Sequence, residues 1–266
     1  METGSLFQLT GKRVLITGGT HGLGMAMARG LGSAGATLII NGHSLRKLDD
    51  AIELYRNEGL KAHGYLIDVT DEALTSSSVE KIEQEVGPID VLINNAGIIK
   101  RIPILEMSAE DFREVVDIDL TGPFIVSRHV GKSMIARRSG KIINICSMMS
   151  ELGRNTVTAY AAAKGGLKML TKNMATEWAK YNIQVNGIGP GYFATDQTAP
   201  IRVDGHPFNE FIINRTPAGR WGDPPPCRDA ARKWRGAACA RRRPCGDLSA
   251  RRGGGGLCRP GQYIAF

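Results

Sequence analysis

Three side chains in the middle of the chain have the types and the spacing that proton transfer needs. Tyr160 and Lys164 are four residues apart, which places them on one face of a helix. There the ammonium can stabilise the tyrosine's phenolate, so the phenol can act as an acid or a base. Ser147, at the end of an apolar run, can hydrogen-bond a substrate oxygen beside that phenol. A Tyr and Lys pair alone is more often a solvated helix face, so the three residues need a supporting context.

A glycine-rich segment supplies that context. Residues 17–24 read T-G-G-T-H-G-L-G between an apolar run and a helical pattern. Glycine permits a tight turn, and the N–H groups at the helix start attract the pyrophosphate of a dinucleotide. A strand-to-helix turn without a ligand is the alternative for this segment alone.

The elements that must position these residues follow a β-α-β alternation. Short apolar runs predict strands near 12–17, 37–41, 61–67, 89–93, 140–146 and 182–187. Amphipathic segments predict helices near 22–34, 44–58, 71–86, 108–137 and 155–180. This pattern predicts an α/β fold, a single-domain Rossmann-type doubly wound parallel sheet, with its ligand crevice at the carboxyl ends of the strands.

Taken together and in order, the motifs resemble the short-chain dehydrogenase/reductase family. They are the glycine-rich segment, N-N-A-G at 94–97, the Ser, Tyr and Lys, and P-G-Y-F-A-T at 190–195. The resemblance implies an NAD(P)-dependent oxidoreductase acting on CH–OH groups, with Ser147, Tyr160, Lys164 and Asp119 in catalysis. It implies that the cofactor is bound by Gly18, Thr20, His21, Gly22, Leu23, Gly24, Asp68, Val69, Asn95, Ala96, Gly97, Tyr160, Lys164, Pro190, Gly191, Phe193 and Thr195.

Two carboxylates in this set have further interpretations. Asp68 matches the family position that meets the adenine amine, and helix N-capping is its alternative role. Asp119 stands where most family members have an Asn that holds a kinked helix and a water leading protons to the lysine. An ionised Asp accepts hydrogen bonds but cannot donate one, so we expect catalysis to be altered in degree and retained.

The end of the second predicted strand favours NADP over NAD. An NAD enzyme usually has a carboxylate there for the ribose 2′-OH, whereas this chain has Gly42 followed by His43 and Ser44. Gly42 leaves room for a 2′-phosphate, and His43, Ser44, His21 and Arg46 are candidate donors. NAD stays possible because no Arg occupies position 43.

Three flanking segments read I-I-K-R at 98–101, N-I-C-S-M-M-S-E-L-G-R at 144–154 and R-T-P-A-G-R-W at 215–221. Together they resemble gluconate 5-dehydrogenases, which interconvert D-gluconate and 5-keto-D-gluconate. Enzymes acting as 2-deoxy-gluconate 3-dehydrogenase or 3-oxoacyl-carrier-protein reductase are the alternatives, and a cofactor-binding protein without turnover is an alternative of another class. Arg101 and Arg154 suit a substrate carboxylate, and Glu151 a sugar hydroxyl, alongside Ser147 and Tyr160. A surface salt bridge is the alternative role for each charged residue.

The composition changes abruptly near residue 224. The net charge of +8 comes from residues 224–266, which hold nine Arg and one Lys against two Asp, together with four of the five Cys. The resemblance ends there, so we expect a Rossmann domain over 1–223 and an anomalous basic tail over 224–266. Its composition is typical of a GC-rich coding sequence read out of frame, and we expect it to be poorly ordered and to add no strand.

The remaining expectations follow from absent signals and from the family. The start of the chain lacks a secretory pattern and no apolar run could span a membrane, which favours the cytoplasm. Cysteine spacing matches no common zinc pattern, so we expect no metal. A small sugar acid is the expected partner, without nucleic acid or membrane. The family implies a homo-oligomer, a dimer or tetramer, which the altered C-terminus would weaken.

Overall fold

A computed structural model of the chain describes residues 8–224 and 263–265. All six predicted strands are confirmed, with small shifts at their ends. The strands are β1 (Arg13–Ile16), β2 (Thr37–Gly42), β3 (Ala62–Leu66), β4 (Val91–Asn94), β5 (Gly140–Ile145) and β6 (Ile183–Gly189), followed by β7 (Tyr263–Ala265).

The strands form one parallel sheet in the order β3-β2-β1-β4-β5-β6-β7. Alternate residues of a strand point to opposite faces, so each strand contributes to two cores. Leu15 of β1 packs in one buried cluster with Ile39 of β2, while its neighbours Val14 and Ile16 pack in another. This confirms a doubly wound sheet covered on both faces.

Seven helices connect or flank these strands in the described residues. They are α1 (Gly22–Ser33), α2 (Leu45–Asn57), α3 (Glu72–Glu85), α4 (Ala109–Val116), α5 (Gly122–Ala136), α6 (Thr158–Trp178) and α7 (Pro207–Arg215). Polar caps set two of the starts. Asp71 accepts a hydrogen bond from the Leu74 N–H at the start of α3, and Ser108 accepts one from the Asp111 N–H at the start of α4.

The predicted long helix over 108–137 is interrupted. A wide π-helical turn at Asp117–Thr121 separates α4 from α5. Such turns displace side chains from the regular helical repeat and are frequent at functional sites. The periodicity of the sequence did not reveal this turn, because one extra residue per turn changes the apolar pattern little over five residues.

One expectation about the C-terminal segment is wrong. Tyr263–Ala265 forms a seventh strand, with Ile264 opposite Ile188 of β6. A parallel neighbour can pair with the free edge of β6 through backbone hydrogen bonds, whatever the side chains. The predicted disorder of the rest of the tail concerns residues 225–262 and 266, which lie outside the described residues. Within the described part of the chain, no helix has the length and apolar character that crossing a membrane requires.

Candidate active site

A crevice of about 870 Å³ opens at the carboxyl ends of the strands. Its lining includes every site residue that the sequence predicted except Ser44, Arg46 and Glu151. The glycine-rich segment and the catalytic candidates therefore face the same space, as the topology of a doubly wound sheet requires.

The glycine-rich turn is locked against the segment that follows β4. Gly18 has a φ of +64°, and a Cβ there would lie 2.9 Å from the Ala96 Cα. A Cβ on Gly24 would lie 2.2 Å from the Gly18 carbonyl oxygen. The Asn95 side chain donates to the carbonyls of Thr17 and Gly18 at 3.0 and 2.9 Å. The backbone therefore comes close to the crevice with no side chain in the way.

Residues 17–24 fit the pyrophosphate of a dinucleotide on two observations. They lead directly into α1, whose N-terminal N–H groups attract anions. On the opposite wall, Thr195 approaches Gly22, where an added Cβ would lie 3.8 Å from the Thr195 Cβ. The loop after β6 thus faces the start of α1 across the crevice.

Asp68 and His43 line the part of the crevice that follows β2 and β3. The Asp68 carboxylate accepts hydrogen bonds from the backbone N–H and the hydroxyl of Thr70, at 2.9 and 2.6 Å. These bonds lower the Asp68 pKa. The alternative role of helix cap is wrong for Asp68, because Asp71 caps α3. Ser44 is the residue before α2 and its side chain makes no capping hydrogen bond.

Lys164 is anchored by α6 in the floor of the crevice and is 4% exposed. Its Nζ donates to the Ile145 carbonyl at 3.0 Å, lies 3.1 Å from Asp119 Oδ2 and is 5.6 Å from the centre of the Tyr160 ring. Burial alone would lower the pKa of this ammonium, but Asp119 and then Tyr160 outweigh it and raise the pKa above the ordinary lysine value. The ammonium beside the phenol therefore stays charged.

Asp119 lies in the π-helical turn and is fully buried. Oδ1 accepts a hydrogen bond from the Ile98 N–H at 2.7 Å, while Oδ2 faces Lys164. Burial raises the pKa of this carboxyl, against the opposing effect of Lys164. Gly97 makes the approach possible, since a Cβ there would lie 2.9 Å from Oδ2. The π-helical turn thus places the Asp119 carboxylate in direct contact with the lysine.

Ser147 follows β5 at the start of a short 3₁₀ turn, Met148–Ser150. Its hydroxyl accepts a hydrogen bond from the Met149 N–H at 3.1 Å. The Ser150 hydroxyl connects this turn to α6. It accepts a hydrogen bond from the Ser147 N–H at 3.3 Å and donates one to the Lys164 carbonyl at 2.8 Å. The serine and the lysine are therefore held relative to each other by a single side chain.

Two arginines, Arg101 and Arg154, line the crevice on the side of Tyr192. Partial desolvation and, after it, the nearby Arg154 guanidinium lower the pKa of Arg101. Glu151, which we expected to bind a sugar hydroxyl, forms an ion pair with Lys168 outside the crevice lining. Among the described residues, no group of three or more His, Cys, Asp or Glu side chains could hold a metal ion.

Comparison with known proteins agrees with this geometry. A family model described as short chain dehydrogenase matches residues 12–205. A 2-dehydro-3-deoxy-D-gluconate 5-dehydrogenase of Formosa agariphila is 72% identical over 220 residues, which are 82% of this chain and 83% of that protein. The chain belongs to the short-chain dehydrogenase family.

This short-chain dehydrogenase also resembles enzymes named for gluconate. A 5-keto-D-gluconate 5-reductase of Escherichia coli K12 is 48% identical over 219 residues, covering 82% of this chain and 86% of that one. The crystal structure of a gluconate 5-dehydrogenase from Burkholderia cenocepacia J2315, in complex with NADP and tartrate, has a TM-score of 0.79 and 42% identity. That match covers 85% of this chain and 88% of the other. The chain is an NAD(P)-dependent oxidoreductase acting on CH–OH groups.

Several supporting residues of this short-chain dehydrogenase were missed from the sequence. The Asn41 side chain accepts a hydrogen bond from the Gly18 N–H at 3.3 Å, and the Tyr55 hydroxyl donates to the Gly19 carbonyl at 2.6 Å. Neither residue carries a local signal, since each acts across 23 or more residues of chain. Ser150 could have been found, because a polar residue three positions after Ser147 is the spacing of a capping box.

Proposed function

We propose that the chain transfers a hydride at C5 of a six-carbon sugar acid, with Tyr160 as the acid and base. The observation that carries this proposal is the meeting of Ser147, Tyr160, Lys164 and the glycine-rich turn in one crevice. A nicotinamide cofactor, when bound, supplies the hydride acceptor or donor.

The side chains of the chain handle the proton. In oxidation, the Tyr160 phenolate takes the proton of the substrate hydroxyl while the Ser147 hydroxyl holds that oxygen in place. The Lys164 ammonium, 5.6 Å from the ring centre, stabilises the phenolate. In reduction the same phenol returns the proton to the new alkoxide. Asp119 and the Ile145 carbonyl keep the ammonium at this position.

We propose NADP as the preferred cofactor, with NAD as a possible one. The residues that would hold it are the 17–24 turn, Asp68, the Asn95–Gly97 backbone and the loop around Thr195. Gly42 is the last residue of β2, is buried and carries no carboxylate. His43, the next residue, lines the crevice. The NADP in the Burkholderia cenocepacia gluconate 5-dehydrogenase structure supports the same choice.

The acid end of the substrate is proposed to bind Arg101 and Arg154. A guanidinium pair suits a carboxylate, because it neutralises the anion and offers paired donors. Both arginines line the crevice, and burial first and Arg154 second lower the pKa of Arg101, so an entering anion would favour the charged form of both side chains. Tartrate, which accompanies NADP in the relative's structure, is itself a hydroxy acid.

Two substrates with the same C5 chemistry are candidates. Identity of 72% to the Formosa enzyme favours 2-dehydro-3-deoxy-D-gluconate. The expected pair of D-gluconate and 5-keto-D-gluconate is the second candidate, supported by 48% identity to the Escherichia coli reductase. Both have a carboxylate for the arginines and differ at C2 and C3, away from the reacting carbon.

The test is a comparison of kcat/KM for the two acids, with NADP and NAD, and identification of the oxidised carbon by NMR. We expect oxidation at C5 for each acid that turns over, with a higher kcat/KM for 2-dehydro-3-deoxy-D-gluconate. Reaction at C3, or a higher kcat/KM for a 3-oxoacyl thioester, would contradict the proposal.

A further inference from the structure

Aromatic groups hold Arg154, and no acidic side chain among the described residues pairs with it. Within residues 8–224, no carboxylate lies at ion-pair distance from its guanidinium. Instead, Nη1 donates to the Tyr192 hydroxyl at 3.2 Å, and Cζ lies 4.5 Å from the centre of the Phe208 ring. The cation is thus fixed in direction, while residues 8–224 supply no counter-ion for its charge.

Tyr192 is itself held rigidly. Its ring makes edge contacts with Phe208 and Trp221, with centres 6.2 and 5.7 Å apart. Its carbonyl accepts a hydrogen bond from the Gly222 N–H at 2.9 Å, and Trp221 Nε1 donates to the Asn209 side chain at 2.7 Å. The loop after β6, the start of α7 and the segment at 221–222 therefore meet at Tyr192.

The hydrogen-bond direction at Tyr192 leaves a donor for a ligand. A phenol has one proton to donate and accepts through its lone pairs. Because the Tyr192 oxygen accepts from Arg154, its own O–H is available to a second acceptor. Tyr192 and Arg154 both line the crevice, whereas Phe208 lies behind them. An anion at this point would receive N–H bonds from the arginine and an O–H bond from the tyrosine.

We propose that Tyr192 is a second ligand of the substrate carboxylate and that Phe208 is a positioning residue for Arg154. The inference rests on the proposed function, in which Arg154 binds the acid end of the substrate. It assigns specificity for acids over neutral polyols to the loop after β6 and to α7. Neither segment carries a residue of the proton-transfer chemistry.

The test uses Tyr192→Phe and Phe208→Leu, with Arg154→Ala as the reference. KM and kcat are measured for D-gluconate, and kcat/KM for D-glucitol, which has no carboxylate. Tyr192→Phe keeps the ring packing and removes the hydroxyl, so we expect KM for D-gluconate to rise roughly tenfold, the size of one hydrogen bond to a charged group. Phe208→Leu should raise it about threefold, as expected for one cation–π contact. For D-glucitol, kcat/KM should stay within about twofold.

Two controls separate this role from general packing. Phe211→Leu changes the same residue type on α7, since Phe211 stacks on Phe208 but is 45% exposed and does not contact Arg154. We expect it to leave KM unchanged. Combining Phe208→Leu with Arg154→Ala should add nothing to Arg154→Ala alone, because the contact is already absent.

The outcomes distinguish this inference from the proposed function. If Arg154→Ala raises KM for D-gluconate and Tyr192→Phe does not, the second ligand is refuted and the arginine clamp stands. If Arg154→Ala leaves KM unchanged, the clamp fails and the inference fails with it. Equal losses on D-gluconate and D-glucitol in the Tyr192→Phe protein would also overturn it, because they would indicate a packing role.

Discussion

At the scale of single residues, the buried pair of Asp119 and Lys164 sets the charge beside the reacting phenol. The other titratable groups beside Lys164 are Tyr160 and Cys146. Burial raises the pKa of the Cys146 thiol. Asp119 supplies the negative charge that holds the ammonium in place and partly neutralises its field. A change at this position should therefore appear in the pH dependence of turnover.

Asp119→Asn should move the pH profile of oxidation to lower pH by about one unit, the order of shift that one nearby charge causes. Without the carboxylate, the ammonium stabilises the phenolate more strongly, so the acid limb moves down. The pKa of Lys164 loses the neighbour that raises it, so the basic limb moves down as well. Asp117→Asn, at an exposed position of the same turn, is the control and should leave both limbs in place. An unchanged profile in Asp119→Asn would refute the electrostatic role.

Cofactor preference can be tested at one residue, Gly42. Gly42→Asp should shift kcat/KM from NADP toward NAD, because it places a negative charge where the 2′-phosphate would lie. A Cβ at Gly42 would lie 2.8 Å from Thr20 Cγ2, so Thr20 must rotate. Gly42→Ala introduces the same Cβ without the charge and should lower both constants without changing their ratio. A ratio that is equal in the Asp and Ala proteins would contradict our placement of the cofactor ribose.

At the scale of the elements, replacing two helical glycines by alanine should have different effects, one on cofactor binding and one on stability. Gly24→Ala should abolish NADP binding, since the added Cβ would lie 2.2 Å from the Gly18 carbonyl oxygen. Gly165→Ala, in α6, meets nothing within 4 Å and should stabilise the protein by about 0.5–1 kcal/mol. Thermal melts and cofactor titrations of both proteins check this. A Gly24→Ala protein that binds NADP normally would show that the turn does not approach the cofactor closely.

The elements also show what a sequence can and cannot predict. Apolar runs identified β1 to β6, because a buried parallel strand is a continuous run of apolar residues. The catalytic candidates were found only because their spacing occurs together with the glycine-rich segment and N-N-A-G. The 3₁₀ turn at Asp196–Ile201 and α7 were not placed, since their apolar pattern is weak. Contacts such as Asp119 with Lys164, or Arg154 with Phe208, join residues 45 and 54 positions apart, and no local pattern records them.

At the scale of the whole molecule, the basic segment after Pro224 contrasts with a body of balanced charge. We propose that it is read out of frame. The resemblance to the family implies that the chain should continue with a helix, an edge strand and a V-D-G-G turn. Reading the coding sequence beyond codon 224 in the other two frames should yield these features in one of them. Finding no such sequence in either frame would refute the proposal.

A protein carrying that in-frame end should melt at a higher temperature than the given chain and form a larger oligomer. Its strand would cover the β6 edge over more than the three residues of β7 and would bury more apolar surface. Light scattering and thermal melts of the two proteins compare them directly. Equal melting temperatures and equal oligomer masses would show that the given tail stabilises the fold and its assembly as much as the in-frame end does.

The central claim is that Tyr160 transfers the proton, and Tyr160→Phe tests it most directly. The measurement is kcat for sugar-acid oxidation with NADP, together with the Kd of NADP for the same protein. Phenylalanine keeps the ring beside Lys164 and removes the hydroxyl, so we expect kcat to fall by about 100-fold or more, while the Kd stays within about threefold. A variant that keeps more than about a tenth of the wild-type kcat would contradict the account, because a lost acid and base costs at least about 100-fold.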